Sequence, residues 1–359
     1  MLTVDIKREL PGFKLDVNFV LERGVMAVLG ASGAGKTMTL QCIAGLLEPD
    51  SGSIDLNGKL LFDSAGGINL PSQKRRVGFV FQNYALFPHL TVIQNIGYGI
   101  RHLPRTQAEE RVNQLMELMH VSPLGGRYPT QLSAGQQQRV AIARALAPEP
   151  EVLLFDEPFS ALDVQLKERL ELEFLALQEH FKGEMLLVTH DLAEGYKLGN
   201  KIAVFQAGSI IQCGSKQNVF FAPANRTVAR LTGIRNLMKG LVTGIEEQTV
   251  GVFIPAWQKT LHVRRPAVQS LVLNQPVSIG IRSEHIRLEP GGEPNSLACR
   301  ILQAAEGISS YAYRFQVSTD TESQHMLNAV VRKGGRPCLH IEECCEVYLP
   351  PEHLVLISG

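Results

Sequence analysis

The sequence predicts an α/β domain followed by an all-β domain, and three observations carry that expectation. VMAVLG at 25–30 is a short apolar run that ends in glycine and leads at once into a helical pattern at 36–47. Two more apolar runs, VLLF at 152–155 and MLLVTH at 185–190, follow helical stretches at 107–119 and 136–147. Runs this apolar suit strands covered on both faces, as in a parallel sheet. Beyond residue 235 the helix signals stop, and short β-type runs such as VGVFI, VSIGI and YAYRFQV follow one another between Gly and Pro. The 359 residues fill two domains or slightly more at about 150 residues each, with boundaries drawn at 1–232 and 233–359.

Each element has a local reason. LDVNFVL at 15–21 alternates as a half-buried strand does. At 107–119, Val112, Leu115, Met116 and Met119 fall on one helical face, a packing stripe. Residues 136–147 read as a helix stopped by Pro148. IAVFQAGSIIQCG at 202–214 reads as a hairpin turning at glycine. The β region carries a weak internal repeat. SIGIRSEHIRL at 278–288 matches EVYLPPEHLVL at 346–356 at Glu284/Glu352, His285/His353 and Leu288/Leu356. This points to two lobes, or to one barrel built twice.

Composition excludes several classes. Lys plus Arg equals Asp plus Glu at 35 each, and 45% of residues are apolar. The chain therefore has no bulk charge for nucleic acid and does not have the composition of a disordered protein. No apolar run reaches the length of a membrane span. MLTVDIKREL carries charges where a signal peptide needs its apolar stretch, so the chain is expected to stay in the cytosol. The six cysteines, Cys42, Cys213, Cys299, Cys338, Cys344 and Cys345, have no CxxC spacing and read as reduced thiols. The vicinal Cys344–Cys345 pair is a weak candidate for a redox or thiophilic-metal site.

GASGAGKT at 30–37 fits GxxxxGK[ST] between a strand and a helix. In such a loop Gly30, Ala31, Ser32, Gly33, Ala34 and Gly35 offer backbone N–H groups to phosphate oxygens. The helix that follows adds its positive end. Lys36 would reach the β- and γ-phosphates of ATP, and Thr37 would offer its hydroxyl to Mg²⁺. Thr39, in the first helical turn, joins the candidate nucleotide contacts. In VLLFDEP at 152–158, Asp156 ends a buried strand and could hold Mg²⁺. Glu157 would then polarise the attacking water.

Between these elements lies LSAGQQQRVAIARAL at 132–146, which resembles the signature of ATP-binding cassette (ABC) transporter ATPases. Gln82 in VGFVFQ resembles that family's Q-loop, SALD at 160–163 its D-loop, and His190 its switch histidine. The match covers about residues 1–232. It implies a P-loop NTPase cassette with a RecA-like core and a helical subdomain. It also implies a head-to-tail homodimer in which Ser133, Ala134, Gly135, Gln136 and Asp163 serve the ATP of the partner subunit. Gln82 would complete the Mg²⁺ shell, and His190 would hold the γ-phosphate and the attacking water. Ala134 stands where the family usually has glycine. The usual adenine-stacking aromatic lies further upstream than any here, which leaves Phe13 as the candidate.

A cassette of this family works beneath membrane permease subunits. Residues 83–99 would present Tyr84, Leu86 and Phe87 to a permease helix. The C-terminal region resembles the OB-like TOBE regulatory domains of bacterial importer ATPases. Those importers work with a periplasmic or surface substrate-binding protein, so this resemblance places the chain peripherally on the cytoplasmic face of the inner membrane. FKLDVNF at 13–19 and LNGKLLFDSAGGINLPSQKRRVGFVFQ at 56–82 are most similar to the molybdate importer ATPase. Sulfate, iron(III) and polyamine are the alternatives, with a soluble non-transport ABC ATPase as a different class. If the β domain itself binds an oxyanion, Ser309, Ser310 and Arg314 are candidates.

Overall fold

The computed structural model describes residues 1–160, 162–265, 271–288, 294–319, 326–333 and 338–358, apart from the side chain of Ser358. Ala161 of the SALD stretch lies outside the described residues. The chain divides into two compact units, Met1–Lys216 and Gln217–Gly359.

In the first unit the strands are β1 (Leu2–Leu10), β2 (Phe13–Leu21), β3 (Gly24–Gly30), β4 (Ser51–Leu56), β5 (Lys59–Asp63), β6 (Ile68–Asn69), β7 (Val77–Val80), β8 (Val152–Asp156), β9 (Glu184–Val188), β10 (Lys201–Gln206) and β11 (Ser209–Ser215). Among the described residues they form one sheet in the order β6-β5-β4-β1-β2-β11-β10-β3-β9-β8-β7. The block β10-β3-β9-β8-β7 is parallel throughout. Its helices are α1 (Lys36–Ala44), α2 (Val92–Ile96), α3 (Arg105–Leu118), α4 (Ala134–Leu146), α5 (Val164–His180) and α6 (Leu192–Leu198).

Both faces of the parallel block are covered, which explains its unbroken apolar strands. Leu153 and Phe155 of β8 join one apolar cluster with α3, α4 and α5. Val152 and Leu154, pointing the other way, join a second with β1, β2 and α1. The consequence for function is positional. GASGAGKT follows β3, Gln82 follows β7, Asp156-Glu157 ends β8 and His190 follows β9. All four lie at carboxyl ends of parallel strands, the edge where open α/β sheets bind ligands.

The second unit opens with two short helices, α7 (Lys216–Phe221) and α8 (Arg226–Leu231), and continues with strands only. The sequence boundary was drawn after α8, and the compact units divide before it. Ala229 of α8 packs with Ile234 and Ile357. Arg282 donates to the carbonyls of Phe220 and Thr232. These contacts tie both helices to the β unit.

Its strands are β12 (Asn236–Ile245), β13 (Thr249–Ile254), β14 (Lys259–Arg264), β15 (Pro276–Ile281), β16 (Ser296–Glu306), β17 (Ser310–Val317), β18 (Met326–Arg332), β19 (Cys344–Tyr348) and β20 (Val355–Ser358). They form a five-stranded sheet, β14-β13-β12-β15-β20, and a four-stranded sheet, β18-β17-β16-β19. One apolar cluster runs through both, from Val252 and Trp257 to Phe315 and Val347. Buried Asn236 stitches the sheets by donating to the carbonyls of Ile281 and Asn328 and accepting from the Asn328 amide. The sequence repeat has a structural counterpart. β15 leads through the turn Ser283–His285 to Arg287, which bridges Tyr348 of β19. β19 leads through the turn Pro351–His353 to β20, which pairs back with β15.

Candidate active site

The glycine-rich loop is shaped by backbone freedom. Gly33 (φ 77°) and Gly35 (φ 100°) occupy the left-handed region, which glycine enters without a Cβ penalty. A Cβ on Gly35 would lie 2.7 Å from Leu15 Cδ1 and 3.1 Å from Phe13 Cζ. Gly35 therefore seats the loop against β2 and opens α1 with no side chain capping its amides. Those amides are the anion-binding end of the helix. Lys36 is folded into the loop and donates to the carbonyls of Gly30 (2.9 Å) and Ala31 (3.0 Å). Burial lowers its pKa, while the nearby Glu157 and Asp156 carboxylates act in the opposite sense.

Asp156 is 6% exposed. Burial raises its pKa, against a hydrogen bond from Thr37. That bond, Thr37 Oγ1 to Asp156 Oδ1, is 2.8 Å. A buried carboxylate beside a hydroxyl is an oxygen donor pair, and this chemistry suits Mg²⁺.

Glu157 follows in the left-handed region, with φ 45°. A non-glycine residue there is strained. The conformation is held by its amide, which donates to the Val188 carbonyl at 3.0 Å. The turn directs the Glu157 carboxylate to His190, whose Nδ1 is 3.0 Å from Oε2. Ser160 donates to the Glu157 carbonyl (2.9 Å) and accepts from Gln82 Nε2 (3.4 Å). Gln82, Glu157 and His190, far apart in sequence, are thus brought into one cluster. Glu157, Ser160 and His190 line a cavity of about 210 Å³.

Other expected residues have distinct placements. Ala31, Ser32 and Gly33 are exposed on the loop, and Ala34 is buried beneath it. Thr39 departs from its expected role. It is 2% exposed and its hydroxyl donates to the Gly35 carbonyl, so it closes the first helical turn instead of facing a ligand. Phe13 is half-buried, against Gly35 and the core. Ser133 caps α4 in a reciprocal pair with Gln136. Ser133 is exposed and Ala134 half-exposed, whereas Gly135 is buried, its face covered by Leu166. Asp163 caps α5 by accepting from the Leu166 amide.

The segment after Gln82 is a correction. Tyr84 is 7% exposed and belongs to the core, not to an exposed aromatic cluster. Tyr84 and Ala85 both turn through positive φ, and Arg144 donates to their two carbonyls at 2.8 and 2.6 Å. This fold-back buries the ring. Leu86 packs on the core, and Phe87 stacks at 4.3 Å on Tyr98. Ile93 and Tyr98 are the apolar side chains left exposed there, at 47% and 43%.

One supporting group was not foreseen. Lys167 of α5 bridges Asp191 (2.6 Å) and Glu194 (2.5 Å), and Glu194 also accepts from Thr189. This ties down both sides of His190. The spacing from Asp191 to Glu194 signals a helix start, but nothing local marks Lys167 as its partner. Ser309, Ser310 and Arg314 do not converge. Ser310 and Arg314 lie four residues apart on β17, about 13 Å along a strand.

Comparison with known proteins agrees with this geometry. The ABC transporter family model matches residues 15–160. The spermidine/putrescine import ATP-binding protein of Ruegeria pomeroyi is 37% identical over 88% of this chain and 86% of its own length. This chain belongs to the family of ABC transporter ATP-binding proteins. It binds ATP and is an ATPase, the energising subunit of an ABC importer. The molybdate/tungstate import ATP-binding protein of Thermococcus kodakarensis is 42% identical over 68% of this chain and 73% of its own length. Other relatives are named for Fe(3+) and sulfate/thiosulfate import. Among solved structures, a dimeric ATP-binding cassette in a post-hydrolysis state with ADP and Pi matches at a TM-score of 0.52 and 26% identity. It covers 60% of this chain and 99% of its own.

Proposed function

We propose that two copies of this chain close head to tail on two ATP molecules, beneath membrane permease subunits. The observation that carries the reading is the convergence of Gln82, Asp156, Glu157 and His190 at adjacent strand ends beside Lys36 and Thr37. The amides of Gly30–Gly35 and the start of α1 bind the phosphates. On ATP binding, Lys36 exchanges the Gly30 and Ala31 carbonyls for phosphate oxygens. Thr37, Asp156 and Gln82 would hold Mg²⁺, whose chemistry there would be to offset the negative charge of the phosphates. Glu157 orients the attacking water and accepts hydrogen bonding from it. His190, fixed beside Glu157, contacts the γ-phosphate. Ser133, Ala134 and Gln136 present the exposed start of α4 to the ATP of the partner subunit, with Asp163 nearby. Phe13 contacts adenine from the wall of the loop. A permease would dock near Ile93 and Tyr98, with a substrate-binding protein delivering cargo on the far side of the membrane. No helix among the described residues is long and apolar enough to cross a membrane, in keeping with peripheral attachment.

We read the β unit as an OB-like regulatory module. For the cargo, polyamine is favoured over molybdate. The match to the polyamine importer subunit runs through most of the β unit, whereas the match to the molybdate/tungstate subunit covers little more than the cassette. The 42% identity of the molybdate/tungstate subunit over 68% of the chain supports molybdate as the second reading.

Glu157→Gln tests the machine. With ATP and Mg²⁺ the variant should elute as a stable dimer, and wild-type protein should not accumulate as one. A variant that stays monomeric at saturating ATP contradicts the closed dimer. Uptake of labelled putrescine and of labelled molybdate by cells with and without this chain separates the two cargo readings.

A further inference from the structure

The β unit contains a cavity of about 680 Å³, separate from the ATP site. Its basic wall comes from three places in the sequence. Arg264 ends β14 and Arg265 follows it, Arg282 follows β15, and the two repeat turns supply His285 and His353. The histidine rings stack with centroids 4.0 Å apart and planes at 23°. Arg264 and Arg265 have no ion pair among the described residues. Among the described residues, Glu352 is the one carboxylate lining this cavity. Among the described residues, Arg264 and Arg265 outnumber the Glu352 carboxylate before either histidine is protonated.

Burial lowers the pKa of His285. The facing His353 adds to the effect, Arg282 and Arg287 act in the same sense, and Glu284 opposes. The neighbouring His353, Arg282 and Arg287 thus set a field that disfavours further positive charge on His285. The lining also has an apolar part that includes Phe221, Pro223, Leu354 and Leu356. Phe221 is 52% exposed, large for an aromatic ring facing a cavity. A second cavity of about 570 Å³ shares Arg264, Arg265 and Glu352 and continues the first toward Glu247 and Thr249.

We propose that this cavity is a binding site for an organic anion, one with a phosphate or carboxylate head on a flat apolar body. The head would lie between Arg264, Arg265 and the histidine pair, and the body against Phe221 and Pro223. Volume decides between this and a bare oxyanion: the cavity is in the range of small-molecule sites, far larger than a tetrahedral anion needs. Bidentate guanidinium groups suit either head. The inference does not depend on the ATPase reading.

The test is calorimetric titration of the full chain with 1-naphthyl phosphate, with saturating ADP present to occupy the glycine-rich loop. Inorganic phosphate and 1-naphthol are the comparators. One saturable site per chain is expected, with each comparator at least tenfold weaker. Arg264→Gln combined with Arg265→Gln should weaken binding at least tenfold and leave ADP affinity and the thermal midpoint unchanged, since both side chains are exposed. No saturable heat at millimolar probe would overturn the site. So would unchanged affinity in the double variant, or naphthol binding as tightly as the phosphate. Inorganic phosphate binding as tightly as the probe would remove the apolar half of the assignment.

Discussion

The two units assemble their polar groups in different ways. In the first, the chemistry sits in the few residues that follow four parallel strands, so each piece is a short local motif and the sheet brings the pieces together. In the second, the polar groups come from strand ends and turns of antiparallel sheets, and no segment of the sequence contains more than two of them. The repeat turns Ser283–His285 and Pro351–His353 lie far apart in sequence, yet their histidines stack. Parallel strands concentrate function at one edge and leave a sequence signature. Antiparallel sheets can build a site that leaves almost none.

Substitutions can break or sharpen that contrast. Phe315 is fully buried in the core shared by the two β sheets. Phe315→Ala should cost about 3–5 kcal/mol, read from denaturant unfolding through the fluorescence of Trp257, the only tryptophan. ATP affinity should stay within about twofold, because the ATP site has its own cores. A parallel loss of ATP binding would break the comparison. Lys36→Ala should lower ATP affinity by about tenfold to a hundredfold, from the loss of charged hydrogen bonds worth about 1.5–3 kcal/mol, and leave the Trp257 transition unmoved. Unchanged affinity would mean that Lys36 does not meet phosphate. Arg144→Ala removes the donors to the Tyr84 and Ala85 carbonyls. A cost of about 1–2 kcal/mol in the first unit is expected, and exposure of Tyr84 should follow, seen as faster hydrogen exchange over 83–87.

The smallest effect has the opposite sign. Burial raises the pKa of Asp156, so the folded state binds that proton more tightly than the unfolded chain does. Asp156 therefore contributes stability at pH below the ordinary carboxylate value, and the contribution is lost as pH rises from there through its raised folded value. At neutral pH without Mg²⁺ the ionised group is a cost. Asp156→Asn should raise the thermal midpoint by a few degrees while abolishing turnover. A lower midpoint would mean that the carboxylate is already compensated.

Much of the ATP site was legible in the sequence because strand, glycine loop and helix are adjacent there. VMAVLG, GASGAGKT and VLLFDEP specify their own geometry through burial and through glycines at positive φ. What escaped was set by contacts distant in sequence. Tyr84 reads as a surface aromatic until Arg144, from α4, folds its carbonyls back. Thr39 reads as a ligand contact until its hydroxyl is seen closing a helical turn. Helix α5 was missed because its buried face, with Leu170, Phe174 and Leu177, also includes the buried Glu171, whose carboxylate pairs with Lys197. The compact units divide ahead of α7 and α8, whose packing through Arg282 and Ile357 leaves no local mark in the sequence.

In the proposed ATPase cycle Glu157, strained into position at the end of β8 and paired with His190, orients the water that attacks ATP. The direct measurement is steady-state ATP turnover by Glu157→Gln alongside ATP affinity. Turnover should fall by at least about a hundredfold, with affinity within about threefold of wild type. Turnover near the wild-type rate would show that another group does this work, and the assignment of Glu157 would be wrong.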